Sequence, residues 1–287
     1  MTNVRQLGPT GLETWIRTYG ASASPGLDAV CAQKDAHTSL LYWFTDLDLA
    51  ISEARQTGKP ILSLRLLGRL DEELSCANSR FFRKLLYPDP RINQVLRQDF
   101  VLHWESVRPV PKVTLDFGNG RRIERTLTGN SAHLVLDPSG RIVDALPGLV
   151  SRDAFLELLA QARTFARADR RALPRLHAQA GTRRTPPPVA SPSRAVAASR
   201  IAPTKHLVEM PLLRAVSVDP LDADTAQNHE LHRRIHEAFA AGAEWAGLAG
   251  FVEWMYAELF QMPLGDPALG LDVPDPFEPP APVRLEA

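Results

Sequence analysis

The stretch YWFTDLDLAISEARQTGKPI, Tyr42–Ile61, decides the fold, because it predicts a helix that leads directly into a buried strand. Apolar residues recur on one face of that helix, namely Leu47, Ala50, Ile51 and Ala54. Thr45 or Asp46 has the side-chain oxygen that caps a helix start, and Gly58 suits the position just after the last turn. A proline two residues later prevents the helix from continuing. The apolar segment ILSLRLL then predicts a short strand, Ile61–Leu67, buried on at least one face.

The alternation of helix and strand continues to about residue 165. Helix signals extend from Cys76 to about Leu86 and restart at RINQVLRQ, and Asp99–Val107 predicts a second strand. The GNG of the next alternating segment predicts a tight hairpin, and DPSG predicts the turn between two further strands. A final amphipathic helix begins after Ser151, a good N-cap residue. This order of elements predicts an α/β sandwich.

The overall composition limits the class of protein. The 287 residues are 44% hydrophobic and 23% charged, with 33 basic residues against 33 acidic ones. A net charge near zero argues against a dedicated nucleic-acid binder or a polybasic membrane binder. No signal-peptide pattern is visible, and no stretch approaches the roughly 18 apolar residues of a membrane span. Two cysteines do not make a disulfide scaffold, so a reducing cytoplasm is the expected compartment.

Changes in composition along the chain predict four regions. Residues 1–41 are rich in Gly, Ala, Ser and Thr and are expected to form an irregular lead-in, and residues 42–165 form the α/β domain. Residues 166–204 are rich in Pro, Ala and Arg, with few large apolar side chains, which is typical of a linker or a disordered segment. Residues 205–287 contain two amphipathic helical patterns and a Pro-rich tail, which predicts a small helical segment.

The order of elements and several motifs of residues 42–165 resemble the thioredoxin-like superfamily. Bacterial proteins of this type open with W-x-x-D-x-x-x-A-x-x-x-A-x-x-x-x-K-P-I, to which the stretch quoted first is similar. In the family a C-x-x-C motif opens the next helix, and a later strand begins with F-V. Cys76 precedes the F-V pair Phe100 and Val101 by 24 residues, which suits the first cysteine of the motif. TGNSAHLVLDPSGRIVDALPGL is similar in shape to the family's G-x-P-x-strand-D-x-x-G segment.

Two departures from the family pattern bear on function. The second cysteine of the motif is Ser79 here, which gives C-x-x-S, and the residue aligned with the family's cis-proline is Ser131. A cis peptide bond at a non-proline residue costs about 2.5–4 kcal/mol, so we expect an altered loop at Ser131. The resemblance therefore implies a thioredoxin-like protein without the usual dithiol cycle.

The residues around Cys76 leave its role open. At a helix N-terminus, with Arg80 and Arg83 one and two turns on, the thiolate would be favoured, and Ser79 would be its hydrogen-bonding neighbour. The protein would then be a monothiol-type thiol-disulfide oxidoreductase, a holder of thiol clients or a redox sensor, with a protein thiol or glutathione as partner. Against this, the acidic residues 71–73 would raise the thiol pKa, and free cysteines are often simply buried.

The alternative function is a thioredoxin-fold interaction module without catalysis, which would bind a protein partner through its sheet edge or its C-terminal helices. The apolar stripe Phe251, Trp254, Met255 and Leu259 is either a partner groove or core, and core is favoured because a two-helix segment must bury its apolar face. No nucleotide-binding or serine-hydrolase motif occurs, so no cofactor is predicted. The sequence does not indicate an oligomeric state.

Cys31 lies outside the thioredoxin-like span. Burial without chemistry and a disulfide with Cys76 are the alternatives for it. His37 follows six residues later, but these three residues would be a poor beginning for a zinc site, which needs three or four convergent ligands.

HELHRRIH places His229, His232 and His236 on one helical face. Two histidines one turn apart can chelate a metal ion, and Glu237 or Glu253 would be a further ligand. The neighbouring arginines would repel a cation, which favours a polar helix face or packing against the other domain. The sequence therefore predicts no metal site, and this triplet is the one weak candidate for such a site.

Overall fold

The structure is a computed structural model that describes residues 2–127, 129–182 and 221–270. It is a mixed α/β protein. Within the described residues the strands are β1 (Ile61–Leu67), β2 (Val101–Arg108), β3 (Lys112–Asp116), β4 (Arg122–Thr126), β5 (Ser131–Leu136) and β6 (Ile142–Pro147). The α-helices are α1 (Thr2–Arg5), α2 (Pro9–Tyr19), α3 (Pro25–Cys31), α4 (Leu47–Thr57), α5 (Ala77–Phe81), α6 (Pro90–Asp99), α7 (Arg152–Arg167), α8 (Leu173–Gly181), α9 (Leu221–Ala240) and α10 (Gly247–Trp254). A π-helical turn continues α5 over Phe82–Leu86, and another continues α10 over Met255–Leu259.

Four strands form one sheet in the order β2-β1-β5-β6. β1 pairs with β2 in parallel, with Ile61 opposite Val101, and pairs with β5 antiparallel, with Ile61 opposite Leu136. β5 and β6 are also antiparallel. All seven residues of β1 are buried, so the strand predicted to be buried on at least one face is a central strand covered on both faces.

The helices of the predicted α/β region pack against this sheet. α4 contacts β1 and β2, α6 contacts β2, and α7 contacts β5 and β6. Asp46 is the N-cap of α4, where its Oδ1 accepts from the Leu49 N–H at 3.0 Å, and Gly58 ends the helix at φ 69°. Ser151 caps α7 by accepting from the Ala154 N–H, as predicted.

β3 and β4 form a separate two-stranded hairpin between β2 and β5. Gly118 and Gly120 at its tip have φ of 71° and 83°, a backbone region that favours glycine. The Phe117 N–H donates to the Arg121 carbonyl across the tip at 3.0 Å. The GNG prediction of a tight hairpin is therefore confirmed.

Residues 1–41 differ from the expected irregular lead-in, because they contain α1, α2 and α3. These helices share a small core of their own, made of Leu12, Trp15, Leu27, Val30, Cys31 and Ala36. α3 begins at an N-cap, Ser24, whose side chain accepts from the Leu27 N–H at 3.1 Å. The helices are short and carry few apolar residues each, so packing between them, rather than periodicity within any one, stabilises them.

The predicted linker at residues 166–204 also begins with structure. α7 extends to Arg167, and α8 follows at Leu173–Gly181, with Leu173 and His177 buried. Pro174 lies in the first turn of α8, where a missing N–H costs nothing, so this proline starts a helix instead of preventing one. The rest of the predicted linker lies outside the described residues.

The C-terminal region 205–287 contains the two predicted helices as α9 and α10, and its Pro-rich tail beyond residue 270 lies outside the described residues. Phe251, Met255 and Leu259 are buried in the main core, in agreement with the core interpretation of the apolar stripe. No helix in the described part of the chain is both long and apolar enough to cross a membrane.

Candidate functional site

Cys76 is the residue on which the predicted thiol chemistry depends, and it has no solvent-exposed surface, with a relative accessibility of 0%. It is the N-cap residue of α5, and its N–H donates to the Leu67 carbonyl at the end of β1 at 3.1 Å. Gly129 packs directly against it, since a Cβ on Gly129 would lie 2.4 Å from the Cys76 Cβ. The end of the strand and a glycine backbone thus enclose the side chain.

Ser79 is buried one turn after Cys76. Its hydroxyl lies 2.8 Å from the Cys76 carbonyl oxygen and 2.7 Å from the Ser75 hydroxyl. The Ser79 hydroxyl therefore contacts the backbone of Cys76 and the Ser75 side chain, and not the thiol for which the sequence predicts a hydrogen bond. The hydroxyl instead serves the backbone of the first turn, a common role for serine in helices.

The two arginines expected to favour a thiolate have other partners. Arg80 donates from Nη2 to the Thr126 Oγ1 at 2.9 Å, at the base of the β3–β4 hairpin. Arg83 is fully buried and lies with its Nη1 3.5 Å from Asp35 Oδ2, in the segment that follows α3. Burial lowers the pKa of both guanidinium groups. Both side chains connect neighbouring elements to α5.

The loop before β5 lies beside α5. The Oδ1 of Asn130 accepts from the Ser131 N–H at 2.9 Å and from the Asn78 side chain at 2.8 Å. Ser131 is buried, and no cis peptide bond occurs among the described residues. Tyr256, from the π-helical turn after α10, donates to the Asn130 carbonyl at 3.0 Å and lies 3.4 Å from the Arg65 carbonyl. The C-terminal segment therefore packs on the same end of the sheet as Cys76.

A second contact fixes the C-terminal segment to that end of the sheet. Arg108, the last residue of β2, donates from Nη1 to the carbonyls of Leu264 and Asp266 at 3.1 and 2.6 Å. Tyr256 is fully buried, and burial raises its pKa well above the usual range.

Both cysteines are free and buried, so the Cys31–Cys76 disulfide considered from the sequence is absent. Cys31 belongs to the separate N-terminal core, whereas Cys76 belongs to the main core. Burial raises the pKa of the Cys31 thiol to about 12. His103 and Trp104 are packing residues, with Ser63 Oγ 2.8 Å from His103 Nδ1 and the Ala32 carbonyl 2.8 Å from Trp104 Nε1.

Neither outer edge of the main sheet is free along its length. At the β2 edge, Phe44 accepts from the Trp104 N–H at 3.0 Å and donates to the Leu102 carbonyl at 2.8 Å. At the β6 edge, the His177 ring lies 2.9 Å from the Val143 carbonyl. Each outer edge of the main sheet is therefore covered at one point by a neighbouring segment.

A second cluster of functional groups lies where β6, α8 and α9 meet. Asp144 accepts from His232 Nε2 at 2.9 Å, and His236 Nδ1 lies 3.9 Å from the same carboxylate oxygen. His177 Nδ1 is 2.8 Å from His236 Nδ1. All four side chains are buried. We call these residues the Asp–His cluster.

Of the histidine triplet predicted from HELHRRIH, the structure brings only His232 and His236 into the cluster, while His229 is half-buried beyond it. Asp144 and His177 were missed by sequence reasoning. Asp144 carried a weak signal, as the lone charge in the apolar strand IVDALP. His177 has no such signal, because it lies in the Pro/Ala/Arg-rich segment whose composition predicts a linker.

The environment sets the protonation of the cluster. Burial lowers the pKa of His236 to about 3 and also lowers that of His177, which favours neutral rings. Burial is the largest influence on the Asp144 carboxyl and acts to raise its pKa. The charge and hydrogen bond of His232 and the electrostatic influence of the other two imidazoles oppose burial, and together they hold the pKa of Asp144 below the usual range. Burial thus favours the neutral form of His177 and His236, whereas the ionised form of Asp144 is favoured.

No protein-family model matches the sequence, and no curated protein matches it.

Proposed function

We propose that the chain is a thioredoxin-like protein that acts as a non-catalytic protein-interaction module. The mixed sheet supports the thioredoxin-like part, since β1 is parallel to β2 and antiparallel to β5, with a helix before β1 and helices between β1 and β2. The C-x-x-S sequence at the start of α5 is compatible with a fold of this kind whose chemistry has been lost.

The burial of Cys76 carries the non-catalytic part of the proposal. Thiol–disulfide exchange requires a thiolate to reach a second sulfur atom, so access is necessary for it. Cys76 has 0% exposure, and the other cysteine belongs to a different core. The face beside Cys76, where a client would approach, is occupied by Tyr256 and the segment that follows it.

The β3–β4 hairpin is the element best suited to bind a partner. It is paired with no strand of the main sheet, so each of its strands has an outer edge without a ladder partner among the described strands. One of its faces carries the partly exposed Val113, Leu115 and Ile123, and Phe117 at the tip is 53% exposed. Such an edge with an apolar face favours a protein partner that adds an extended segment to it.

Thiol alkylation tests the non-catalytic part. Native protein is treated with iodoacetamide from pH 6 to 9, and the modification of each cysteine is followed by peptide mass mapping. We expect Cys76 to stay unmodified until the protein is unfolded. Rapid modification of native Cys76 near pH 7 would overturn the proposal in favour of single-cysteine thiol exchange.

A matched pair of surface variants tests the hairpin. Phe117→Asp places a charge on the exposed tip, and Leu49→Asp does the same on the exposed face of α4, where Leu49 is 59% exposed. Proteins that co-purify with the tagged chain are compared for wild type and both variants. The proposal expects a partner that is retained by wild type and L49D but lost by F117D. A partner that is retained by all three proteins, or lost by both variants, would show that the hairpin is not the binding element.

A further inference from the structure

We propose that Asp144, His232 and His236 form a binding site for a divalent transition metal ion of the zinc type, with His177 directly beside it. The site lies about the junction of β6, α8 and α9, away from Cys76 and from the hairpin. The proposal is independent of the function proposed above.

The positions of the ligand atoms suit a single ion. His232 and His236 are four residues apart on α9, so their rings project from the same face one turn apart. One ligand atom each from Asp144, His232 and His236 lies within 4.8 Å of the other two. Zinc binds imidazole nitrogen and carboxylate oxygen at about 2.0–2.2 Å, so tetrahedral ligand atoms lie roughly 3.3–3.5 Å apart. The observed separations of 2.9 and 3.9 Å fall on either side of that value.

The charge of the cluster calls for a cation. Asp144 is 0% exposed, and its Oδ2 has no hydrogen-bond partner in the described part of the chain. Its ion-pair partners among the described residues are the imidazoles of His232 and His236. A buried carboxylate is costly unless it is paired, and a divalent ion would neutralise it.

Outer hydrogen bonds orient the imidazoles for this role. His177 Nε2 lies 2.9 Å from the Val143 carbonyl, which can only accept, so Nε2 carries the proton and the lone pair of Nδ1 faces His236. Gln161 Nε2 donates to His236 Nε2 at 3.0 Å, so without a metal ion His236 Nδ1 carries the proton and donates to His177 Nδ1, and metal binding would displace that proton. Metal-binding histidines usually have such partners on the other ring nitrogen.

The donor set selects the class of metal. Two imidazoles and one carboxylate favour zinc and similar ions over magnesium or calcium, which prefer oxygen ligands. The three ligands are buried, and a tetrahedral ion would take its fourth ligand from water or from a small shift of His177. Arg233, which follows His232, pairs with Glu230 and Glu237 on the helix surface, so its charge is compensated away from the site.

Cobalt(II) binding tests the proposal. Cobalt in a tetrahedral site of nitrogen and oxygen ligands absorbs visible light strongly, whereas octahedral cobalt in water absorbs it only weakly. Full-length protein is stripped with a chelator, dialysed and titrated with cobalt chloride, and zinc chloride is then added. We expect one equivalent of cobalt to produce the bands and zinc to remove them. At a zinc concentration 100 times the dissociation constant, Tm should rise by roughly 5–10 °C.

Three variants locate the site. Asp144→Asn keeps the shape and the hydrogen-bond acceptor for His232 but removes the charge, and His236→Gln removes a ligand; each should weaken zinc binding by at least about 10–100-fold, the range seen even for outer partners. His229→Gln, on the same helix but outside the cluster, should bind zinc like wild type. Circular dichroism of each variant establishes that it is folded.

Absence of the tetrahedral cobalt spectrum in folded wild-type protein would overturn the proposal, and the cluster would then be a hydrogen-bond network only. Equal zinc binding by wild type, D144N and H236Q would overturn it as well. Loss of binding in H229Q alone would place the metal elsewhere on α9 and contradict the assignment. None of these readouts depends on the thiol or on a partner.

Discussion

At the scale of single residues, the contact between Gly129 and Cys76 explains why the thiol is buried. The glycine lets the chain before β5 pass directly against the start of α5, at a distance that no other residue permits. The same loop is held to α5 by the amide pair of Asn130 and Asn78. The first turn of α5 is thus packed closely on the side where a disulfide would have to approach.

Replacing Gly129 by alanine should therefore destabilise the protein. The added Cβ would meet the Cys76 Cβ at 2.4 Å, and overpacking of this kind costs about 1–3 kcal/mol. Gly265→Ala is the control, because nothing lies within 4 Å of a Cβ at that position. Urea unfolding followed by tryptophan fluorescence gives both values. Equal stability of G129A and G265A would mean that the close contact does not exist in solution.

Two buried histidines predict how stability changes with pH. Burial lowers the pKa of His103 and of His133 to about 3, whereas an unfolded histidine has a pKa near 6.5. Between these values the unfolded chain binds more protons than the folded one. Their contribution to stability is therefore complete above pH 6.5 and declines as the pH falls from 6.5 towards 3, by about 1.4 kcal/mol per pH unit for each histidine.

His133→Gln isolates one of these contributions. The slope of unfolding free energy against pH, measured in urea between pH 4.5 and 6, should decrease by about 1.4 kcal/mol per unit, whatever the variant's stability at pH 7. His37→Gln, at an exposed position, should leave the slope at the wild-type value. An unchanged slope in H133Q would show that this histidine is protonated in the folded protein.

At the scale of elements, α4 depends on its N-cap. Asp46 accepts from the Leu49 N–H at 3.0 Å, and loss of such a cap costs about 1 kcal/mol. Asp46→Ala should lower the unfolding free energy by this amount. Ser52→Ala, at an exposed position within the helix, should not lower it, because alanine is the better helix former. If the two variants are equally stable, the capping bond contributes nothing.

The elements that could be predicted from the sequence are those with strong local signals. α4 has a cap, a periodic face and a terminating glycine, and the β3–β4 hairpin has GNG at its tip. The N-terminal helices and α8 were missed because their stability comes from contacts between elements. The Asp–His cluster was half found, since His232 and His236 share a helix whereas Asp144 lies 88 residues before His232. No spacing rule joins residues so far apart in sequence.

At the scale of the whole molecule, the C-terminal segment and the α/β domain share one core. Tyr256 and Arg65 are 191 residues apart, and their contact lies beside the loop that encloses Cys76. On the opposite side of the segment, α9 places its histidines against Asp144 of β6. Docking of this segment therefore controls two features at once, the access to the thiol and the completeness of the Asp–His cluster.

Weakening this docking should expose Cys76 without unfolding the protein. Tyr256→Ala removes a fully buried aromatic ring and the hydrogen bond from its hydroxyl to the Asn130 carbonyl, a loss of about 3–5 kcal/mol for a large core side chain. We therefore expect Cys76 to react with a thiol reagent at least about 100-fold faster. Tyr256→Phe loses only this hydrogen bond, about 0.5–1.5 kcal/mol, and should show a smaller increase. Cys31 is an internal control, because it belongs to the separate N-terminal core. Faster labelling of Cys76 alone would demonstrate local opening of the C-terminal segment. Parallel acceleration of both cysteines would instead indicate global unfolding, and an unchanged rate for Cys76 would assign its protection to Gly129 and the loop before β5.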